Sequence, residues 1–600
     1  MRKLNGRFLM TACAAIAGAV CLASSADATT IQIYGGGSTL VGPYWRIIGN
    51  CYGQIDQYIG SGATAGTPVL TTENNFNYPG NASGVGAQNC ATTQVHPAQN
   101  VNYIGTGSGT GIDALFAHDP TMYGSVTDGT TTYFPSVQYG ASDAGLGSSD
   151  LACYNNTGST NCTNEGAPNF GSAPQFAPAS DGCIAQNGSV YANPQSCYGP
   201  VIQFPLSIDP VVFAFSPVYK QAVVSGSVVS YSFHLKYPRA NGSGGLRLDP
   251  TTYCRIFYGD ITNWNDPALK ADNGGLALYA TNDPDKGTGW SVPLQIVGRT
   301  DSSGTTSIFY RHLATICPGL ISAYNTANGT SESTTTYSSA GSKHVPSGLA
   351  GAAWQESSPS QNYPGVATYT GGSGDVPGKF TTASGSGGVA AYIAFPPNYV
   401  GTGAGQVSSY TVGRIGYIGP DYALPYVNNT GANTYGLMTA TLQNNAGKWV
   451  APSPAGASAA YKAVAVLPST NPSASNYEGN PLNWAESIAA GQPLANPTGS
   501  TSYPMVGTTN YLMYQCYAAN SSVTVLHGEL LFLNQLINTD PNNGILASAG
   551  LAALPLSWRK AWQGAFLGAG DGNGLQISVV SPSNSVAACN STTHTGEVGG

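Results

Sequence analysis

The chemistry of this chain concentrates in four short stretches: Gly-Gly-Gly-Ser-Thr at 35–39, Gly-Thr-Gly-Ser-Gly-Thr-Gly at 105–111, Gly-Ala-Ser-Asp-Ala at 140–144 and Gly-Arg-Thr-Asp-Ser-Ser-Gly-Thr-Thr at 298–306. Three are glycine- and hydroxyl-rich loops that run into apolar, helix-like segments, and the fourth supplies a lone carboxylate, Asp143. Backbone N–H groups at a helix start attract anions, because their dipoles point outward and have no partner within the helix. Arg299 adds a planar fork of donors that matches two oxygens of an anion, and Asp301, two residues on, can brace that fork. Thr39, Ser108, Ser303 and Thr305 are neutral donors, each worth roughly 1.5–3 kcal/mol when bonded to an ionised partner. Asp143 repels an anion unless that anion carries a proton to donate, so its presence selects a protonated guest. Together these groups describe a desolvated cage for one tetrahedral oxyanion.

The same residues are poorly suited to catalysis. Hydrolysis needs an activated nucleophile or paired metals, and no histidine lies within the four stretches. Gly-Ala-Ser at 140–142 begins like a nucleophile elbow, but Ala144 stands where the closing glycine belongs. The seven histidines are dispersed, with no His-Glu-x-x-His and no Cys-x-x-Cys. No metal site, cofactor or enzymatic activity is expected.

Loops of this kind need a rigid frame. Short β-like runs (31–34, 101–104, 210–216, 294–297 and 415–418) alternate with helical segments at 40–50, 112–117, 251–258, 305–316, 387–394, 524–537 and 555–566. Alternation of this sort argues an α/β architecture with largely parallel sheets, whose ligands sit beyond the carboxyl ends of the strands. In the 305–316 segment Ile308, Phe309, Leu313 and Ile316 recur at helical spacing, with Arg311 and His312 facing elsewhere. Ser303 and Gly304 then occupy the first turn. Length alone suggests about four domains, but polar Gly/Ser/Thr/Asn/Pro-rich passages near 60–100, 153–200, 325–385 and 425–500 read as insertions into a smaller framework.

Composition restricts the partners. Only 8 % of residues are charged and the net charge is −8, without basic runs, which excludes nucleic acid as a natural partner. Anion affinity must therefore come from local hydrogen-bond geometry. Tyrosine, with 36 residues, reads as loop packing or surface character rather than a sugar platform, and Trp264 as core or surface outside the pocket. At the N-terminus Arg2, Lys3 and Arg7 precede an apolar run ending in Ala-Asp-Ala at 26–28, the pattern of a signal peptide cleaved near Ala28. Of the 12 cysteines, those beyond the signal are even in number, as export to an oxidising compartment predicts. Cys153/Cys162 and Cys183/Cys197 look like local staples; if neighbours pair, Cys51/Cys90, Cys254/Cys317 and Cys516/Cys589 remain. No later run is long and apolar enough to span a membrane.

Longer words carry a resemblance. Gly-Gly-Gly-Ser-Thr-Leu-Val-Gly-Pro-Tyr-Trp at 35–45, Val-Asn-Tyr at 101–103 leading to Gly-Thr-Gly-Ser, Tyr-Gly-Ala-Ser-Asp-Ala at 139–144, Thr-Asn-Trp-Asn-Asp-Pro at 262–267, Arg-Thr-Asp-Ser-Ser-Gly-Thr at 299–305, Ile-Gly-Tyr-Ile at 415–418 and Tyr-Pro-Met-Val-Gly-Thr-Thr at 503–509 follow one another in this order. The chain resembles the periplasmic phosphate-binding protein of the bacterial phosphate ABC importer (PstS-like) and its secreted relatives, the DING proteins. The resemblance implies a two-lobed type II periplasmic-binding-protein fold with long insertions and two interlobe crossovers, near 208–210 and near Ser502. The implied organisation is a signal peptide at 1–28, lobe 1 at 29–209, lobe 2 at 210–502 and the remainder of lobe 1 at 503–600. It further implies that Thr39, the backbone at Leu40, Ser108, Asp143, Arg299, Ser303, Gly304 and Thr305 hold phosphate, with Asp301 bracing Arg299. Leu40 stands where the family commonly has an aromatic residue, which leaves the backbone contact unaffected. The expected function is capture of inorganic phosphate by a monomer in the periplasm or outside the cell, for an inner-membrane ABC permease. The alternatives are a secreted surface, matrix or adhesin-like phosphate binder without a transporter, and, less favoured, a phosphatase.

Overall fold

A computed structural model describes residues 31–49, 99–155, 195–332, 380–394, 410–423, 436–462, 466–485, 493–517, 530–536 and 545–590, apart from short gaps within these spans. Of the strands used below, four come first: β1 (Ile31–Gly37), β2 (Gln99–Gly105), β3 (Tyr139–Ser142) and β4 (Val201–Pro210). Six follow: β5 (Val212–Phe215), β6 (Ser243–Leu248), β7 (Leu294–Arg299), β8 (Phe380–Ala383), β9 (Gly413–Ile418) and β10 (Met438–Gln443). The last two used below are β11 (Val506–Tyr514) and β12 (Ala552–Ala553). Space follows this grouping. The first sheet runs β2-β1-β3-β11-β4-β12, and the second runs β6-β10-β5-β9-β7-β8, with a short strand at Arg239–Ala240 beyond β6. The chain thus leaves the first sheet after β4 and rejoins it at β11.

Both sheets are mixed, where the alternating pattern predicts largely parallel ones. β1 pairs in parallel with β2 and β3, and β7 with β8 and β9. β11 runs antiparallel to both β3 and β4, and β5 antiparallel to both β9 and β10. β5 and β11, which run against both of their neighbours, are each the first strand after a passage between the sheets. β4 and β5 are one extended run broken at Val211, whose N–H donates to Met505 O at 3.0 Å. β4, β5, β7, β9 and β11 are buried along nearly their whole length, which explains their almost continuous apolar character.

Five helices support these sheets: α1 (Ser108–Ala117), α2 (Pro250–Phe257), α3 (Gly304–Asn328), α4 (Gly385–Ala394) and α5 (Pro454–Lys462). α1 packs on β1 and β3, α4 on β7 and β9, α2 against α3, and α5 on β4 and β12 of the first sheet. The Asp249 carboxylate caps α2 by accepting from Thr252 N at 2.8 Å, and Pro250 at the first helical position suits the same start. A disulfide between Cys254 and Cys317 ties α2 to α3, and a second joins Cys516 to Cys589. Cys153 is also disulfide-bonded; the other expected pairings involve cysteines outside the described residues.

Three sequence expectations change. α3 continues to Asn328, through Pro318, and its first half is buried on every side, so Arg311 and His312 are as buried as Ile308 and Phe309. His312 is accommodated by Tyr253 OH at 2.8 Å and Ala495 O at 2.6 Å. The 425–500 passage contains β10 and α5, so part of it is framework. Tyrosines, finally, line the core. Trp45 stacks on Tyr103, Tyr139 and Tyr511 at 5.1, 5.8 and 5.5 Å, and the column continues through Phe204 to Trp562. Burial of phenol rings is tolerated because their hydroxyls reach main-chain carbonyls, as Tyr139 does with Asn102 O (2.6 Å) and Tyr103 with Ser38 O (2.5 Å). Trp264 is core, as expected.

Candidate functional site

The carboxyl ends of β1, β2 and β3 in one sheet and of β7, β8 and β9 in the other lead into the loops that carry the chemistry. Gly37 ends β1 with φ 133° and Gly107 precedes α1 with φ 108°, conformations that a side chain would strain. These turns deliver Ser38 and Thr39 from β1, Ser108 from β2, Asp143 from β3, and Arg299 through Thr305 from β7. The loops touch across the sheets: Gly109 N donates to Ser302 O at 3.1 Å.

Arg299 is the centre of this cluster. Its side chain is 1 % exposed, and its Nε donates to Asp301 Oδ1 at 2.7 Å while Nη2 donates to Asp301 Oδ2. Nη2 also donates to Thr39 Oγ1 (2.9 Å), and Nη1 donates to Ser386 Oγ (3.3 Å) and Thr305 Oγ1 (3.4 Å). Burial alone pulls the guanidinium's proton affinity down, but the Asp301 carboxylate outweighs it and the net shift is upward. Asp301 shows the converse: burial raises it, Arg299 outweighs burial, and its carboxyl stays below the ordinary range. The two form a fixed ion pair.

Asp143 is fully buried. Its Oδ2 accepts from Thr305 Oγ1 at 3.1 Å and from Ser108 Oγ at 3.5 Å, and its Oδ1 from Thr509 Oγ1 at 2.7 Å. Burial raises its proton affinity, against the pull of surrounding hydroxyls and the Arg299 charge. Ser303 caps α3, its Oγ accepting from Thr306 N at 3.3 Å. Gly304 lies so close to Asp143 and Ser108 that a Cβ there would sit 2.7 Å from Ser108 Oγ. Leu40 is buried, and its N–H donates to Ser38 Oγ at 3.0 Å. Thr39, Leu40, Ser108, Asp143, Arg299, Asp301, Ser303, Gly304 and Thr305 therefore all lie in one contiguous cluster.

Residues that the sequence reading did not single out complete it. Ser386, in the first turn of α4, donates its N–H to Thr39 Oγ1 (3.0 Å), and Gly385 N donates to Asp301 Oδ1 (2.9 Å). Gly-Ser-Gly-Gly at 385–388 had the same signature as the other loops, a glycine- and serine-rich word opening a helix. Thr509, on β11, lies between Asp143 and Asp209, the latter on β4, within hydrogen-bonding distance of both. Asp421, buried just beyond β9, is pushed well above the usual carboxylate range by burial.

A sequence profile of the PBP superfamily domain matches residues 78–524. The chain belongs to the PBP superfamily. Its two sheets with their helices are the lobes of the type II fold expected from the sequence words. Among curated relatives, the chain is 24 % identical over 471 residues to alkaline phosphatase L of Pseudomonas aeruginosa strain PAO1, covering 78 % of this chain and 82 % of that one. It is 29 % identical over 351 residues to a phosphate-binding protein from an unknown prokaryotic organism, covering 56 % and 71 %. Among solved structures, a high affinity periplasmic phosphate-binding protein bound with phosphate matches with a TM-score of 0.46 and 21 % identity, over 91 % of this chain and 96 % of that one.

Proposed function

We propose that this PBP-superfamily chain captures inorganic phosphate between its two lobes. The observation that carries the reading is the meeting of Arg299 and Thr305 from one sheet with Thr39, Ser108 and Asp143 from the other, all within hydrogen-bonding reach. The Arg299 fork, backbone N–H groups at the starts of α1, α3 and α4, and the hydroxyls supply donors to a tetrahedral anion; Asp143 accepts the proton that hydrogen phosphate carries and sulfate lacks. Arg299 bonds Thr39 and Thr305 bonds Asp143 in this structure, so the ligand replaces contacts between protein groups with contacts to itself. Micromolar binding requires about 8 kcal/mol net of ordering costs, which several charge-assisted bonds supply. The phosphate-binding protein among the relatives supports the ligand.

The domain reading accompanies it. Lobe 1 is formed by residues 29–209 and a returning C-terminal segment, and lobe 2 by the stretch between. The broken strand at Val211 supports the first crossover, and the packing of α5 on β4 supports a return near residue 452, ahead of the one expected near Ser502. Phosphate touches both lobes only when they are closed, so it stabilises that state, and the closed form docks on an inner-membrane ABC permease. The chain acts as a monomer outside the cytoplasmic membrane, in the periplasm or secreted, after cleavage near Ala28. Isothermal titration of purified protein with phosphate at neutral pH tests the reading; absence of heat, together with absence of phosphate released on denaturation, overturns it.

A phosphatase is the second reading, favoured by the name of one relative. The candidate hydroxyls Thr305 and Ser108 bond the Asp143 carboxylate, whereas Ser142 Oγ accepts from Ala144 N at 3.2 Å. Binding without turnover fits this arrangement better. Aryl phosphate hydrolysis that survives purification and disappears in Asp143→Asn supports the phosphatase instead.

A further inference from the structure

Thr509 Oγ1 lies 2.7 Å from Asp143 Oδ1 and 2.6 Å from Asp209 Oδ2, and all three side chains are fully buried. A hydroxyl carries a single hydrogen, so it donates to one carboxylate and accepts from the other group. With two ionised carboxylates, one of these close contacts sets lone pair against lone pair. One carboxyl must therefore carry a proton. Asp143 receives further donors from Thr305 and Ser108 and feels the Arg299 charge, all of which favour its ionised form. Asp209 has weaker company: Thr509, through side chain and backbone, and Ser207 favour its ionised form, but burial and the charge of Asp143 outweigh them, and its Oδ1 makes no hydrogen bond. Among the described residues, the charged and titratable groups with the largest influence on Asp209, or feeling it most, are Asp143, Asp421 and Tyr103, none of them cationic. Burial, followed by the charge of Asp143, pushes Asp209 up to about 7.

We propose that Asp209 is a positioning residue, held as the neutral acid, that donates to Thr509 so that Thr509 donates to Asp143 and leaves Asp143 an acceptor for the bound anion's proton. The ligand in this statement rests on the phosphate reading; the location of the proton does not. When Asp209 ionises, the relay loses its direction, Asp143 competes for a proton, and discrimination between protonated and unprotonated oxyanions declines. Asparagine at 209 preserves the donor toward Thr509 without the ability to ionise.

Two measurements on the full chain test this. Infrared difference spectra of the ligand-free protein at about pH 6 compare wild type with Asp209→Asn; beside the bands of other raised carboxyls such as Asp421, one protonated-carboxyl C=O component present in the first and lost in the second is expected. Retention of that component in the variant overturns the proposal. Calorimetric titrations with phosphate and with sulfate at about pH 6 and about pH 9 follow the relay in binding. In wild type the preference for phosphate declines with pH beyond what the ionisation of phosphate itself accounts for; Asp209→Leu and Thr509→Val lower it about tenfold at about pH 6 with little further change at about pH 9, and Asp209→Asn retains it at about pH 6 and shows only the decline that phosphate ionisation gives. An Asp209→Asn profile that declines as wild type does overturns the relay. If wild type binds no phosphate at all, the functional reading falls, while the infrared band still decides where the proton sits.

Discussion

Arg299 spends two of its donor positions on Asp301, and what remains faces Thr39, Thr305 and Ser386. Substitution by alanine removes the donors and leaves the buried Asp301 without its ion-pair partner, held by backbone N–H groups such as that of Gly385. Phosphate affinity measured by calorimetry is expected to fall at least about 100-fold in Arg299→Ala, the loss of two or more charge-assisted bonds. A second prediction concerns pH. Because burial raises Asp209 to about 7, the folded protein holds a proton that the unfolded chain releases near pH ~4. Stability therefore decreases as pH rises between these values, by an upper bound on the order of 4 kcal/mol from this residue. Urea denaturation at several pH values across that window is expected to show a shallower decline for Asp209→Asn than for wild type. Thr39, Ser108, Asp143 and the 299–305 loop were legible in the sequence because each sits in a contiguous word after a strand. The roles of Asp209 and Thr509 were not: Thr509 ends the 503–509 word and Asp209 lies in the expected crossover at 208–210, yet they are 300 positions apart, and only antiparallel pairing of β4 with β11 brings them together.

Helix starts are the working parts of the next scale. α1, α3 and α4 all begin at the cluster, and each begins with glycine or serine because loops from the opposite sheet approach closely. At Gly304 a Cβ would lie 2.4 Å from Ala144 N, a backbone atom that cannot swing aside. Gly304→Ala is expected to weaken phosphate binding about tenfold or more by holding the loops apart, with a smaller change in unfolding free energy; titration and urea denaturation separate the two effects. The helices themselves were largely readable from apolar spacing, yet the burial of Arg311 and His312 was not. Periodicity reports one apolar face, and α3 has neighbours on several. The Cys254–Cys317 bond closes a loop of 63 residues, so converting both cysteines to alanine is expected to cost about 2–4 kcal/mol, read as a lower Tm.

At the scale of the whole chain, the mixed sheets record a polypeptide that leaves one lobe and comes back to it. A run of strand residues broken only at Val211, beside Met505, is a short and well-hydrogen-bonded connection, suited to bending without unfolding. Small-angle scattering is expected to show a smaller radius of gyration on adding phosphate to wild type, and no change in Arg299→Ala. The sequence implied two lobes through its family words, but assigned too much of 425–500 to insertion, because β10 and α5 are flanked by the same glycine, serine and asparagine that fill true loops. One further consequence follows from the aromatic column of the first sheet. Tyr103 in that column bonds Ser38 O, the residue next to Thr39, so any shift of the first loop is passed to the indole of Trp45. Ligand capture should thereby announce itself in the native emission spectrum without an attached dye, and Trp45→Phe should silence that signal, turning a packing device into a built-in gauge of occupancy.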